Sequence, residues 1–431
     1  MQLLLRPQTQ YPALRFQCAF IILMLLLLAS HTAKSAVTEP AAPLTLVHAL
    51  NLAQKANPDI AIALHEREAV LGIQTQASIR PNPTISTSIQ DTRSDTRQIY
   101  LQLNQELEMG NKRDARIAAA DSFYSKADAE LDYKRVEIHA NVVAAFYGVL
   151  AAQERLILAQ SSLEVANLAL DAATKRVKAG KSAPVEQTKS KIAESGAKID
   201  LNQALSQLTM SRKRLTALWG NAIPQFEVAE GVVASIPETS SLGELDAMLE
   251  NAPAIKLAKL EVNAREALTK VERSKATPNI TISAGMINNQ ELGLNQALLG
   301  LIVPIPLFDR NQGNLQEAVS RKYKAEDTLV ALKNQLGADL SAQFERLSVA
   351  KQSSEALRTE ILPSAQSAFD VANRGFSAGK FNFIDVLDAQ RTLFHTKSQY
   401  IQTLFEAHQA VAEIERILGD VINHPLDIAQ E

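Results

Sequence analysis

The sequence predicts a mainly α-helical chain with a small β part, built from two tandem copies of one module. Three observations predict this fold class: long stretches without a helix breaker, two pairs of alternating segments, and an order of motifs that repeats after 195 to 199 positions. Sixteen glycines and sixteen prolines among 431 residues are few for a turn-rich all-β protein. The formal charge of −3 provides no basic field, so nucleic acid is not an expected partner.

The first element is a predicted secretory signal peptide over residues 1–35. An apolar run from Phe16 to Leu28 follows two arginines, and cleavage is predicted between Ser35 and Ala36. The run is short for a membrane-spanning helix, although a retained N-terminal anchor is the alternative. The only cysteine, Cys18, lies in this run, so the mature chain is expected to have no disulfide and no cysteine metal ligand.

The rest of the chain is a predicted duplication, with a first copy over residues 36–220 and a second over 221–431. Each copy begins with a helix, and "NPDIAIALHEREA" from Asn57 matches "APAIKLAKLEVNA" from Ala252. A period of this length is too long for one unit of a solenoid. Two copies of one larger module are therefore expected.

Each copy continues with a predicted pair of strands, over residues 83–106 and 278–305. In "TISTSIQ" apolar and polar residues alternate, which is typical of a strand between two different surroundings. The polar face of this strand comprises Thr84, Ser86, Ser88 and Gln90. In the second copy the link is placed over "NNQELGLNQ", and the last strand, "ALLGLIVPI", is expected to be apolar on both faces.

The longest feature of each copy is a predicted helical hairpin, over residues 111–219 and 311–419. In the first hairpin apolar residues recur at alternating spacings of four and three from Ile138 to Val177, which specifies a left-handed coiled coil. The second hairpin keeps this spacing less regularly, and Pro363 is predicted to kink its first helix. Both hairpins turn at an Ala-Gly-Lys sequence.

The predicted strands have the length of strands that cross a membrane at a tilt. Four strands cannot close into a barrel, and open sheet edges are not tolerated in hydrocarbon. Two chains would give eight strands around a filled interior, whereas three would give twelve strands with room for a channel. If the strands span a bilayer, the sequence therefore predicts a trimeric duct whose polar strand faces line water and whose isoleucines face lipid.

Several motifs resemble those of TolC-like outer-membrane efflux proteins: "NQELEMGNKRDARI", "VPIPLFDRNQGN" and "FIDVLDAQRTL". The resemblance covers essentially the whole mature chain, and the segment from Pro304 to Gly313 is most similar to the cobalt–zinc–cadmium branch, which serves heavy-metal efflux. It implies a homotrimer with a twelve-stranded barrel in outer-membrane lipid and a long periplasmic α-barrel in a Gram-negative cell. It also implies docking to a periplasmic adaptor and to an inner-membrane pump of the resistance-nodulation-division class.

The most specific candidate site is the acidic pair Asp385 and Asp388, because residues three positions apart share a helix face. The resemblance implies that these aspartates form the constriction that gates the duct. The alternative is helix capping, since Asn382 followed by Asp385 resembles a capping box. In the first copy Glu186 replaces the first aspartate and is the third gate candidate, while Lys189 stands where Asp388 stands. The first tip is thus less anionic than the second.

The two hairpin tips are the candidate docking positions for the adaptor. The set consists of the tip glycines with their neighbouring basic residues: Arg176, Gly180, Lys181, Arg374, Gly379 and Lys380. The alternative for the glycines is purely structural, because glycine permits the backbone conformation of a tight turn.

No nucleophile–base constellation emerges from the sequence, so enzymatic activity is not expected. The histidines are scattered without a close pair of ligands, so neither a dedicated metal site nor a cofactor is expected. Two other functions stay open. The same duct could carry drugs or a protein secreted by a type I system, or the chain could be a periplasmic coiled-coil scaffold if its strands are only loop hairpins.

Overall fold

The computed structural model describes Glu39 and residues 43–419, which belong to one compact unit. The predicted signal peptide lies outside the described residues. The elements of the described part, in chain order, are α1 (Leu46–Ala56), α2 (Pro58–Ala77), β1 (Thr84–Gln90), β2 (Gln98–Leu107), α3 (Lys112–Lys178), α4 (Pro184–Ala217), α5 (Leu242–Leu249), α6 (Pro253–Lys275), β3 (Ile280–Asn289), β4 (Leu294–Ile302), α7 (Gln312–Ala356), a π-helical segment (Leu357–Ile361), α8 (Leu362–Ser377) and α9 (Phe383–Leu418).

The predicted first helix is divided at Asn57, because this residue ends α1 and caps α2. Its Oδ1 accepts hydrogen bonds from the N–H groups of Asp59, at 2.8 Å, and Ile60, at 3.0 Å. Pro58 at the first helical position suits this arrangement, since that position needs no N–H donor. The Asn57 Nδ2 also donates to the carbonyl oxygen of Leu218 at 2.7 Å, which fixes the start of α2 to the end of the first hairpin.

Helix α3 runs without interruption for 67 residues, which corresponds to about 100 Å. Its four-three series of apolar residues is turned inward, with Ile138, Val142, Val149 and Ala152 buried. The helix packs against α2, α4, α6 and α9, so both halves of the chain contribute to its surroundings. One 18-residue window of α3 is apolar enough to cross a membrane by composition, but half of that window is buried within the protein, as in the core helix of a helical domain.

The second rod is distorted just before Pro363 rather than at it. The π-helical segment Leu357–Ile361 separates α7 from α8, and α8 continues through the proline. Proline has no N–H to donate and its ring crowds the carbonyl group four residues earlier, so the preceding turn widens to accommodate it. Next to Pro363, where the sequence predicts a kink, the structure thus has a π-helical turn on the N-terminal side of the proline.

The four strands form one antiparallel sheet in the order β1-β2-β3-β4. Thr84 pairs with Asn104 across the first hairpin, and Leu107 pairs with Ile280 across the junction between β2 and β3. Among the residues that the structure describes, β1 and β4 each have a neighbouring strand on one side only. The sheet therefore has two free edges, each presenting unpaired backbone donors and acceptors.

The second strand pair differs from the prediction at its turn and at its end. The link is only residues 290–293, and Asn288 pairs with Asn295 across the hairpin, with a 2.8 Å bond between their side chains. Strand β4 ends at Ile302 because Pro304 cannot donate to a sheet. It begins at Leu294 and therefore includes Asn295 and Gln296, so the expectation of a last strand that is apolar on both faces is wrong.

Glu39, which precedes α1 in the chain, binds to the connection between the two halves through its buried carboxylate. The Glu39 Oε1 accepts from the Trp219 indole N–H and from the Asn221 amide, both at 2.9 Å. Its Oε2 accepts from the backbone N–H groups of Gln225, at 2.6 Å, and Phe226, at 3.1 Å. Trp219 is itself buried just beyond the end of α4, in the largest of the apolar clusters.

Candidate functional site

The sheet has one polar face, formed by residues that lie opposite each other in neighbouring strands. Directly opposed residues of antiparallel strands share a face. The predicted polar residues Thr84, Ser86, Ser88 and Gln90 lie opposite Asn104, Gln102, Tyr100 and Gln98. The side chains are joined along this face, since Asn104 donates to Ser86 Oγ at 3.0 Å and the Tyr100 hydroxyl donates to Gln90 at 2.9 Å.

The other face of the sheet is apolar and exposed within this chain. Ile85 is 76% exposed and Leu299 is 83% exposed, although both are large apolar side chains. The exposed large apolar residues on this face are Ile85, Ile89, Leu101, Leu103, Leu107, Ile282, Met286, Leu299 and Leu301. An apolar patch of this extent on a protein surface marks contact with a membrane or with another chain.

The two ends of the sheet differ, because all four helical connections leave from one end. There the strands are joined to the rods by Arg116, which pairs with Glu108 and also donates to the carbonyl oxygen of Ile79 at 3.4 Å. The Arg116 guanidinium holds the pKa of the Glu108 carboxyl below its ordinary value. At the opposite end the strands are linked only by short turns, residues 91–97 and 290–293.

The two hairpin tips have the same backbone structure. In the first tip Gly180 has φ +70°, its N–H bonds to Val177 at 3.0 Å, and the Lys181 N–H bonds to Arg176 at 2.9 Å. In the second tip Gly379 has φ +71° and the equivalent bonds are 3.0 Å and 2.8 Å. This is the Schellman arrangement, which requires a left-handed residue after the helix. The tip glycines thus have the structural role that was the alternative to docking: they permit the backbone conformation of the turn.

The structure brings the two tips together through Arg176. Its guanidinium lies 4.5 Å from the ring centre of Phe376, and its Nε–H donates to Ser182 Oγ at 3.2 Å. Arg374 instead donates within its own helix, to the carbonyl oxygen of Asp370 at 3.2 Å. A guanidinium over an aromatic face is attracted by the ring. Arg176 therefore links the first hairpin to the second.

The contact between Arg176 and Phe376 gives a testable expectation. Arg176→Gln should loosen the paired tips, and chymotrypsin should cut them faster by a factor of about 2–5, since an exposed cation–π contact contributes roughly 0.5–1 kcal/mol. Lys181→Gln, at an exposed position of the same tip, is the matched control and should leave the rate unchanged. Equal rates for both variants would show that Arg176 does not hold the tips together.

The three tip phenylalanines were not among the residues singled out from the sequence. The rings of Phe376 and Phe383 lie 5.4 Å apart, and Phe381 covers Gly375 so closely that no side chain could stand there. Phe383 is buried whereas Phe381 is 44% exposed. A signal was present, because three of the thirteen phenylalanines fall within eight consecutive positions. The second tip is thus an aromatic cluster and the first is not.

The acidic pair lies in the first two turns of α9, and its two members differ in their surroundings. Asp385 Oδ2 accepts from the backbone N–H of Asn382 at 3.0 Å, so Asp385 completes a capping box. The helix-capping role predicted as the alternative for Asp385 is therefore observed. Asp388 is exposed one turn further along. Of the two, Asp388 is therefore the carboxylate whose charge can be changed without disturbing the helix start.

Asp388 lines a groove of about 990 Å³ between α3, α4 and α9. Its ionisable neighbours in this groove are mainly basic: Arg155, Lys189, Asp200, Arg391 and His395. Lys189 therefore faces the same space as Asp388, whereas Glu186 does not line this groove. Burial lowers the pKa of Arg155, which also contacts Gln402. The electrostatic surroundings of the pair are mixed rather than purely acidic.

Metal ligands are not grouped in the part of the chain that the structure describes. No set of three or more His, Cys, Asp or Glu side chains there is placed to hold an ion. His65 contacts only its helix neighbour Glu68, at 3.0 Å. His408 is fully buried and stacks on Tyr147 with the ring centres 3.5 Å apart.

Comparison with known proteins shows likeness over nearly the whole described chain. The family described as "Outer membrane efflux protein" matches residues 49–221 and 245–420. The cobalt-zinc-cadmium resistance protein CzcC of Cupriavidus metallidurans is 41% identical over 381 residues, which cover 88% of this chain and 91% of that relative. Among solved structures, the outer membrane protein VceC of Vibrio cholerae superposes with a TM-score of 0.74 at 18% identity, covering 87% of this chain and 96% of VceC. CusC, solved in a study of transmembrane channel formation, gives 0.74 at 17% identity, with 87% and 92% covered.

Proposed function

This chain belongs to the outer membrane efflux protein family, and from this premise we propose that three copies form the exit duct of a tripartite system that exports heavy-metal cations. One observation carries the proposal: a four-stranded sheet with two free edges, one polar face and one exposed apolar face. Such a sheet is complete only when its edges are paired and its apolar face is covered by lipid.

We infer the number of copies from the sheet. Strands β1 and β4 run in opposite directions, so β4 of one chain can pair with β1 of the next in an antiparallel closure. Three chains then give twelve strands, enough to enclose water. In this arrangement Thr84, Ser86, Ser88 and Gln90 line the lumen, and Ile85 with its apolar neighbours faces the lipid.

The helical part continues the duct into the periplasm. Helix α3 extends for about 100 Å from the sheet end to the tip, so the tips are far from the membrane. We propose that they dock to a periplasmic adaptor and, through it, to an inner-membrane pump of the resistance-nodulation-division class. The paired Schellman turns offer two similar sites in each chain, with Gly180 and Lys181 in one and Gly379 and Lys380 in the other.

The gate is assigned to the same end of the molecule. Threefold symmetry would gather the Asp388 carboxylates around the axis, where they repel each other and attract cations. Asp385 supports the helix start from which Asp388 projects, and Glu186 supplies the corresponding acid of the first tip. Lys189 and Arg391 in the adjoining groove partly compensate this charge.

The cargo is inferred from likeness, because a named relative confers resistance to cobalt, zinc and cadmium. Deleting the gene should lower tolerance to these cations and leave tolerance to a hydrophobic antibiotic unchanged. Expression of the intact chain should restore tolerance. If deletion sensitises the cell to the antibiotic and not to the metals, the duct carries drugs instead.

Assembly is tested on the purified protein. Extraction from the outer-membrane fraction should require detergent, light scattering should give the mass of three chains, and the trimer should conduct ions in a planar bilayer. The reason is the exposed apolar face, which high salt cannot strip from lipid. A monomer released by high salt alone would identify the chain as a periplasmic scaffold.

A further inference from the structure

The four strands that the structure describes contain a single charged side chain, that of Glu106. The other strand residues are apolar or neutral. In β1 and β2 the polar face consists of hydroxyl and amide groups around Tyr100, whereas in β3 and β4 the same face also carries Ile287, Leu294, Leu298 and Ile302. Charged side chains in membrane-crossing strands are destabilising where they face lipid. The face on which Glu106 lies therefore decides whether it is tolerated and what it can do.

Glu106 lies on the polar face, near the end of the sheet that joins the rods. Gln102, Asn104 and Glu106 are alternate residues of β2, so their side chains lie on the same face of the sheet. Glu106 pairs with Thr281 of β3. Strand β1 begins opposite Asn104, so Glu106 lies just beyond the end of β1. Its side chain is exposed within the chain.

The surroundings of Glu106 hold its carboxylate without neutralising it by direct contact. The Asn279 amide donates to Glu106, and the same amide group accepts from the Lys112 ammonium. Asn279 therefore stands between the acid and the base. Burial lowers the pKa of Lys112, and the nearby Glu106 opposes that shift.

We propose that Glu106 sets the cation preference of the β-barrel lumen at its junction with the helical duct. The inference rests on the proposed trimer, in which three copies of Glu106 ring the opening at one level. A water-filled passage with low-dielectric walls focuses the field of such a ring. The other residues of the four described strands are uncharged, so within these strands Glu106 is the one fixed charge that can attract metal cations and repel anions.

The Glu106 ring and the tip gate lie at different places along the duct. Asp388 acts at the far end of the rods, about 100 Å away along α3. Ions would pass the two rings in series, so the ion preference of the Asp388 ring at the tips could hide that of the Glu106 ring in a current measurement. The test therefore uses the full-length chain with Asp388→Asn as the parent, which keeps the Asp385 cap intact.

The experiment places a thiol at the position of Glu106 and changes its charge chemically. The only cysteine of the chain is Cys18, in the predicted signal peptide, so Glu106→Cys adds one new target. Trimers in planar bilayers are treated with sulfonatoethyl or trimethylammonioethyl methanethiosulfonate, which add a negative or a positive group. The reversal potential under a potassium chloride gradient gives the ratio of cation to anion permeability.

The permeability ratio should fall roughly twofold in Glu106→Cys at 0.1 M salt, recover with the anionic reagent and fall further with the cationic one. The effect should fade at 1 M salt, where the screening length shrinks from about 10 Å to about 3 Å. A purely structural role for Glu106 would not respond to the sign of the reagent. The parent without the new thiol is the control for both reagents.

The failures of the two proposals are distinguishable. If no trimer or no conductance is obtained from the unaltered chain, the duct itself is refuted. If trimers conduct and the thiol is modified, but the ratio is the same for both reagents, only the role of Glu106 is refuted. Adding an acid elsewhere on the polar face, as Ser86→Glu in the Glu106→Gln chain, should restore part of the lost cation preference.

Discussion

Gly285→Ala should sharply reduce the amount of trimer recovered from the outer membrane. Gly285 lies in β3 opposite Gln102, and a Cβ atom there would overlap the carbonyl oxygen of Leu101 and lie 3.0 Å from the Gln102 Cα. The obstacle is backbone, which cannot move aside without breaking the β2–β3 pairing. Overpacking of this kind typically costs about 1–3 kcal/mol per site, and a trimer contains three such sites.

The matched control for this substitution is Gly300→Ala in the neighbouring strand. A Cβ at Gly300 would lie 3.5 Å from the Ser283 Cβ, which is ordinary van der Waals contact. The two variants therefore add the same methyl group to adjacent strands of one sheet. Trimer yield and the temperature of trimer dissociation should fall for Gly285→Ala only. Equal yields would contradict the tight approach of β2 and β3.

Asp388→Asn should raise single-channel conductance and lower the cation preference of the duct, without loosening the tip. Neutralising the carboxylates removes the ring of negative charge that attracts and retains cations at the constriction, and in the groove it leaves Lys189 and Arg391 with less opposing charge. Because each charge contributes about 1 kcal/mol at 4 Å in water, and more in a confined space, a change of several-fold in permeability ratio is expected. A part of the preference should remain, since Glu106 is untouched.

Asp385→Asn is the informative comparison for the gate. It replaces the carboxylate that accepts from the Asn382 N–H with a neutral amide, so it should lower stability by about 0.3–1 kcal/mol besides any effect on conductance. Planar-bilayer recordings, together with proteolysis of the tips, separate the two effects. If Asp388→Asn leaves both conductance and ion preference unchanged, the gate does not lie at Asp388.

The rods and tips could be predicted because their causes are local. The four-three spacing from Ile138 to Val177 describes a buried stripe of one helix, and a stripe is visible in the sequence of that helix alone. The tip glycines are visible for the same reason, since a left-handed residue after a helix is a local requirement. The polar and apolar faces of β1 likewise follow from alternation within seven residues.

The second hairpin shows where local signals mislead. Asn288, Asn289, Asn295 and Gln296 are typical of turns, yet they lie in the strands because each finds a partner across the hairpin. The turn itself needs only four residues, with Gly293 at φ +61°. Amide side chains at the polar end of a strand are therefore easily assigned to a longer loop.

Contacts between distant parts of the chain could not be predicted from spacing. The pairing of Arg176 with Phe376 joins residues 200 positions apart, and the position of Asp388 beside Lys189 depends on how α4 and α9 pack. Nothing in either local sequence specifies the other. The same holds for Glu106, which looks like one acid among many until the register shows it to be the only charge in the sheet.

The carboxylate of Glu39 beside Trp219 makes the chain its own optical probe. Trp219 is the only tryptophan, and its indole N–H is bonded to Glu39. The tryptophan fluorescence of the protein consequently comes from one site, where Glu39 meets the connection between the halves. Detachment of Glu39 would shift the emission of the whole molecule, so its attachment can be followed in real time without a label.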